Sequence, residues 1–429
     1  MISIKNVCCY QFVQEAKRVA GQGIILQCLI DSCPGRYITI LDSFDHSYLE
    51  PEVVSNLLDL RLIGKAWAIA VIPHVYRSIR LTSHFMINTL SRRLDDSFLV
   101  SNMARFRALS FDCLLYPDID VISTRANHLK PTLGSRLDPR NHLINTNSSL
   151  MRHVANIIQV SAPTLTDQSF RFKGTVGFRS GIIAAVHQVH NLEVLNIIGL
   201  TASNMSDNSN SLKSLLDATV NLRSMSLQIG SMDRLDLARG SLSQLEHLAA
   251  SCSPANYDAI VGVCENQGTN IKCLEYKHNF HNHETALMIL AVRQSVEVLL
   301  TDVTPGSNPI NVHDLDFPNL RIIRLTCSNT MGKDLNWLHS KFFEHMQVLV
   351  TGYHISVGYW RRVLKCKYST SVTLPVNFKH IVFLTYDGRT KDPAIVKCFK
   401  EYNITCHFSY VGGYHELLDI LRSSGNQDD

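Results

Sequence analysis

Leu222-Arg-Ser-Met225-Ser-Leu227, Leu245-Glu-His-Leu248-Ala-Ala250, Ile271-Lys-Cys-Leu274-Glu-Tyr276 and Leu320-Arg-Ile-Ile323-Arg-Leu325 share one pattern. An apolar residue is followed by two variable ones, a second apolar residue, one variable residue, then an apolar or tolerated position. Leu192-Glu-Val-Leu195-Asn-Ile197 has the same spacing, and weaker copies begin at Val296, Met346 and Ile381 and, earlier, at Tyr76, Phe106 and Ala155. From Leu222 the first positions fall at 222, 245, 271, 296, 320 and 346, separations of 23, 26, 25, 24 and 26 residues. Before Leu222 the separations are 30, 49, 37 and 30, and after Met346 the next is 35, so the flanking units carry insertions.

A period of this length marks a stacked array of one small unit. The hexamer reads as a short strand whose alternate side chains point inward. The intervals carry helical spacing at Leu212, Leu215 and Leu216, at Leu287, Leu290 and Ala291, and at Leu335, Leu338 and Phe342. Between 296 and 320, Pro305, Gly306, Pro309 and Pro318 predict an irregular connector instead. A doubly wound sheet needs about 30 residues or more for each strand–helix–strand unit, which the central separations do not reach. The expected fold is therefore α/β: a degenerate leucine-rich-repeat solenoid over residues 76–429, with parallel strands on a concave face and helices and irregular connectors on a convex one. Ala126–Ser149, rich in polar residues and holding Pro131, Gly134 and Pro139, is expected to form a long loop near the start of the array.

Composition narrows the function. The chain has 429 residues, 45% of them apolar and 18% charged, which excludes wholesale disorder. Its 41 Lys and Arg against 37 Asp and Glu leave a net charge of +4, too small an excess to attract nucleic acid or an anionic membrane by field alone. No apolar run approaches the roughly 20 residues of a membrane span, and Met1–Ala20 lacks the apolar core of a signal peptide, so a cytoplasmic or nuclear location is expected. The 12 cysteines then read as free thiols, since paired CxxC spacing is absent.

Ahead of the array, Gly23-Ile-Ile-Leu-Gln-Cys-Leu-Ile30 sets Ile25 with Leu29 and Leu26 with Ile30 one helical turn apart. From Glu52 to Ala70 a second helix is expected, with Val54, Leu58, Leu62, Ala66 and Ile69 on one face and Pro73 beyond its end. The stretch Leu60-Arg-Leu-Ile-Gly-Lys-Ala-Trp67, then Pro73 and Tyr76-Arg-Ser-Ile-Arg-Leu81, resembles the second half of the F-box in fungal F-box/leucine-rich-repeat proteins. In that family the last phrase doubles as the first repeat strand. Residues 1–75 would then form the helical F-box-like module, although the usual Leu-Pro at its start is replaced by Val19-Ala-Gly-Gln-Gly and Cys33–Glu50 reads as an insertion.

The resemblance implies a substrate receptor, whose F-box docks a Skp-type adaptor of a cullin-scaffolded ubiquitin ligase while its repeats hold a target protein. Candidate adaptor contacts are Ile25, Leu26, Leu29, Leu58, Leu62, Ile63 and Trp67, because helix-on-helix interfaces depend on desolvated aliphatic and aromatic anchors. Each of them is equally accounted for as packing within its own module. Target contacts are expected at the variable strand positions Asn196, Ser226, Gln228, Glu275, Lys277, Asp302, Arg324, Thr326 and Asp387, whose mixed polarity suits a protein partner. Simple solvation explains most of those side chains as well. The alternative role is a stand-alone interaction scaffold whose N-terminal helices only cap the array.

Enzymatic readings find little support. Cys264, Cys273, His278, His281 and His283 match no standard metal spacing. Gly177-Phe-Arg-Ser-Gly181 lacks the lysine of a phosphate loop, and Asp118 with Asp120 and Asp314 with Asp316 read as solvated turn residues. No catalytic residue, metal or cofactor is expected.

Overall fold

The computed structural model describes residues 77–94, 106–115, 150–173, 175–199, 208–238, 240–278, 285–301, 311–325, 336–364, 374–385 and 391–409, with short pieces at 37–38, 48–49, 59, 144–145, 417 and 420. Twelve parallel strands form one sheet: β1 Ser78–Leu81, β2 Ala108–Leu115, β3 Asp167–Phe172, β4 Val194–Gly199, β5 Ser224–Gln228, β6 His247–Cys252, β7 Cys273–His278, β8 Val298–Thr301, β9 Ile322–Leu325, β10 Val348–Gly352, β11 His380–Leu384 and β12 Thr405–Ser409. Each pairs with the next in chain order, so the chain adds one strand at a time to the same edge, a solenoid-like α/β arrangement. A further two-residue strand, Ile144–Asn145, pairs beside Leu114 and Leu115 and is the described part of the expected loop at 126–149. Tyr37–Ile38 and Tyr48–Leu49 form a separate antiparallel pair. The rest of the N-terminal module, including Ile25, Leu26, Leu29, Leu58, Leu62, Ile63 and Trp67, lies outside the described residues.

The first, fourth and sixth positions of the hexamer build the main core. Leu192, Leu195 and Ile197, Leu222, Met225 and Leu227, Ile271, Leu274 and Tyr276, and Leu320, Ile323 and Leu325 are all buried in one continuous cluster. The helices cover that face, each with an apolar stripe: α1 His84–Leu94, α2 Leu150–Ser161, α3 Ser180–His187, α4 Ser209–Asp217, α5 Tyr257–Gln267, α6 Thr285–Ala291, α7 Tyr353–Leu364 and α8 Pro393–Lys400. Asn208 caps α4 by accepting from the Ser211 amide, and Asp392 caps α8, whose first residue is Pro393. Gly268, which ends α5, leaves room for α6, because a Cβ there would sit 2.3 Å from the Ala291 carbonyl oxygen.

Leu212, Leu215 and Leu216 lie on α4 and Leu287, Leu290 and Ala291 on α6, at the expected helical spacing. The segment from 296 to 320 contains a single described helical turn, Val312–Asp314, in keeping with its prolines. Leu338 and Phe342 instead sit on two short 3-10 turns, Asn336–His339 and Lys341–Phe343.

Two copies of the repeat belong elsewhere. Ala155 falls within α2, because an i, i+3 pair of apolar residues suits a helix as well as a strand; the strand of that unit is β3, entered through Leu165. Its fourth position is Gln168, buried and donating Nε2 to the Leu109 carbonyl at 3.1 Å. Ile381 occupies the fourth position of its unit, and Phe378 the first.

The residue before the first apolar position supplies a ladder between units. Asn191, Asn221, Asn270, Asn319 and Asn377 donate Nδ2 to the carbonyls of Pro163, His190, Ser243, Gln294 and Glu344, at distances from 2.7 to 3.0 Å. The residue after it alternates in charge. Glu246 bonds Arg223 at 2.7 Å and Lys272 at 3.3 Å on either side, and those bonds hold its carboxyl below the usual range.

Candidate functional site: the second face of the sheet

Side chains at the strand positions between the core residues point away from the helices, and register alone sets their neighbours. One row runs Arg80, Ser110, Ser169, Asn196, Ser226, Ala249, Glu275, Leu300, Arg324, Val350, Val382 and His407. A second runs Ser224, His247, Cys273, Val298, Ile322, Val348 and His380. From β1 to β6 this face is polar, and from β7 to β11 it is mostly aliphatic.

The expected target residues Asn196, Ser226, Glu275 and Arg324 lie on this face, but they are not solvated. All four are at most 5% exposed. On the aliphatic half the cover includes Leu417, with Ile420 packed against it. Asn196 and Ser226 are register partners, while Glu275 and Arg324 reach each other across Leu300. Gln228 is half-buried, Lys277 lies at the end of β7, and Asp302, Thr326 and Asp387 lie outside the described residues.

Sequence reasoning missed the group between those residues. Ser224 Oγ lies 2.8 Å from His247 Nδ1, His247 Nε2 lies 3.9 Å from Glu275 Oε2, and Arg324 Nη2 donates to Glu275 Oε1 at 2.6 Å. Burial opposes the charge on Glu275, but the nearby His247 imidazole and the Arg324 guanidinium outweigh it and hold the carboxyl below its ordinary range. Serine, histidine and carboxylate in sequence resemble a nucleophilic triad in content only. Ser224 and His247 are 2% and 0% exposed, so the arrangement serves as a buried polar brace between strands. Cys273 beside it is pushed well above the usual thiol range by burial and by the Glu275 charge, which makes it a poor nucleophile. Cys264 belongs to the helix-side core and Cys273 to the opposite face, so the two do not converge.

Asp316, Glu344 and His345 bring three donor atoms within 4.8 Å of one another, with Asp316 Oδ1 3.2 Å from His345 Nε2. The Arg293 and Arg321 guanidinium groups bond the carbonyls of Asp316 and His345. Positive charge is already supplied there, and the cluster reads as a polar turn.

At the far edge, His380 Nδ1 lies 3.1 Å from His407 Nε2. Burial, with His407 alongside, pushes His380 down to about 4 from its usual 6.5, and burial lowers His407 too. The folded chain therefore holds both rings neutral where the unfolded chain binds protons, so their contribution is complete above the ordinary histidine range and lost as pH falls towards 4. The melting temperature is expected to fall between pH 7 and pH 4.5, and His380→Gln with His407→Gln to flatten that fall. An unchanged slope in the double variant would place the acid sensitivity elsewhere.

The aliphatic half of the face forms a second core. Cys273, Val298, Leu300, Ile322, Val348, Val350 and Val382 cluster with Leu417, and Leu384 and Ile420 pack against them. Leu417 and Ile420 thus lie over β7–β11. Among the described residues no helix is long and apolar enough to cross a membrane. Neither a scan against protein-family models nor a search of curated proteins finds a match to the chain.

Proposed function

We propose that the chain is a leucine-rich-repeat protein serving as the substrate-receptor subunit of a Skp–cullin–F-box type ubiquitin ligase, with no catalytic chemistry of its own. The observation that carries this reading is the position of β1. Ser78–Leu81, the end of the F-box-like phrase, forms the first strand of the parallel sheet, where the resemblance joins the F-box to the repeats. Two further features support it. The buried Ser224–His247–Glu275 group leaves no open nucleophile there, and the period of the array suits recognition of a protein. The adaptor binds the N-terminal module, and the target protein binds the repeats.

The test uses the full chain in a pull-down with a purified Skp-type adaptor. Saturable binding, lost in Leu62→Asp or Trp67→Asp variants that keep the wild-type melting temperature, is the expected result. Folded wild-type protein that leaves the adaptor in solution overturns the ligase reading in favour of a stand-alone scaffold.

A further inference from the structure

At the far end of the sheet two imidazoles face each other. His380 opens β11 and His407 stands in the middle of β12, and the register that pairs His380 with Thr405 and Val382 with His407 sets the two rings diagonally on the second face. His380 Nδ1 and His407 Nε2 are 3.1 Å apart, with ring centroids 5.3 Å apart and planes 43° from each other. The strands that carry them are fixed. Residues 380–384 pair in unbroken register with 405–409, and the Thr405 amide donates to the Lys379 carbonyl at 2.9 Å. His380 is buried and His407 half-buried.

A neutral imidazole carries one N–H and one nitrogen with a lone pair. With a proton between the facing nitrogens the pair is a hydrogen bond; with the protons on the two remote nitrogens, both lone pairs face the same space, and a metal ion bonded to both stabilises that arrangement. Zinc bonds imidazole nitrogen at about 2.0–2.1 Å, so two such ligands stand about 2.9 Å apart at a right angle and about 3.4 Å apart at the tetrahedral angle. The observed 3.1 Å falls between those limits. Binding therefore asks the rings to turn, not the strands to move. Burial, with His407 alongside, keeps a proton off His380, and burial does the same for His407, so at neutral pH an ion meets uncharged rings, the form that ligates metal. The exposed Lys379 opposes a cation there, as it opposes a proton on His380, and bonds to both rings have to outweigh it.

We propose that His380 and His407 form a two-histidine site for a zinc-class divalent ion, with water in the remaining positions, and that the bound ion clamps β12 to β11. Each unit of an array is held by its neighbours, and β12 has one described neighbour in the sheet. A metal bridge between the two strands adds to the backbone ladder where the array has least support. The site is independent of the ligase reading, which concerns adaptor binding at the other end of the chain.

The test is equilibrium dialysis of the full chain against zinc chloride at neutral pH, for wild type, His407→Gln and Asp316→Asn, the last as a control for the donor atoms gathered around Asp316. Wild type and Asp316→Asn should each retain one zinc per chain that His407→Gln releases. Equal retention by wild type and folded His407→Gln, or loss of that zinc in Asp316→Asn instead, overturns the site. Hydrogen exchange on the wild-type chain supplies a readout independent of any variant. Zinc at about ten times its dissociation constant should slow the β12 amides about tenfold while β5 to β8 stay unchanged. Amides of β12 that exchange at the same rate with and without zinc overturn the clamp.

Discussion

Replacing Arg324 with Leu should destabilise the protein by about 3–5 kcal/mol, because it strands a charged carboxylate inside the second face. Glu275 is 3% exposed, and its Oε1 accepts from Arg324 at 2.6 Å. Its other oxygen faces His247 at 3.9 Å, which cannot compensate for the missing guanidinium unless the imidazole takes up a proton. The double replacement Glu275→Met with Arg324→Leu should recover most of the loss, since both positions border Leu300 and the aliphatic floor and would extend it. Chemical unfolding midpoints of the wild type, the single variant and the double variant decide the matter. If the single variant unfolds within about 1 kcal/mol of wild type, as ordinary surface pairs do, the brace carries little. The linkage has a direction as well. The Glu275 carboxyl is held below its ordinary range in the folded chain, so its contribution is complete above that range and fades as pH falls through the lowered value.

The legible part of the fold was the part where one side-chain pattern has one structural meaning. From Leu222 to Met346 the hexamers repeat at nearly constant spacing, and every one of them is a strand in the register that the spacing implies. At the flanks the pattern loses that uniqueness. Ala155 and Ile158 satisfy strand and helix alike, and the buried residues Leu150, Met151, Val154 and Ile157 around them decide for the helix. Gln168 hid β3 because a glutamine in a core position looks polar until the Leu109 carbonyl is placed beside it. The asparagine ladder stands in the sequence as Asn191-Leu192, Asn221-Leu222, Asn270-Ile271, Asn319-Leu320 and Asn377-Phe378, one place ahead of the hexamer's first apolar residue.

The candidate site was less legible, for a different reason. Alternation tells which way a side chain points, not what lies above it. Asn196, Ser226, Glu275 and Arg324 point as expected, yet all are buried. The missing signal was the absence of alternation in β8 to β11, where apolar residues occupy both faces and so require a second cover. That cover comes from Leu417 and Ile420, beyond the last strand, which a period-based reading of the strands does not reach.

The second large effect is expected at Trp360, where the last units are joined. This side chain is fully buried on α7, with its ring 5.2 Å from Phe399 of α8 and 5.2 Å from Tyr359. Phe399 lies 6.1 Å from Phe383 of β11, so the aromatic contacts run from one helix through the next to the sheet. Trp360→Ala should cost about 3–5 kcal/mol through the cavity it opens. Trp360→Phe should cost less than about 1.5 kcal/mol, because it keeps a ring against Phe399 and also removes an indole N–H that is buried without an acceptor among the described residues. In an array each unit is held by its neighbours, so the alanine variant should release β11, α8 and β12 before the central strands. Hydrogen exchange resolved by segment would show early loss of protection in β11 and β12 with β5 to β8 unchanged. Uniform loss along the sheet would mean instead that the array unfolds as one cooperative body, with Trp360 serving the whole of it.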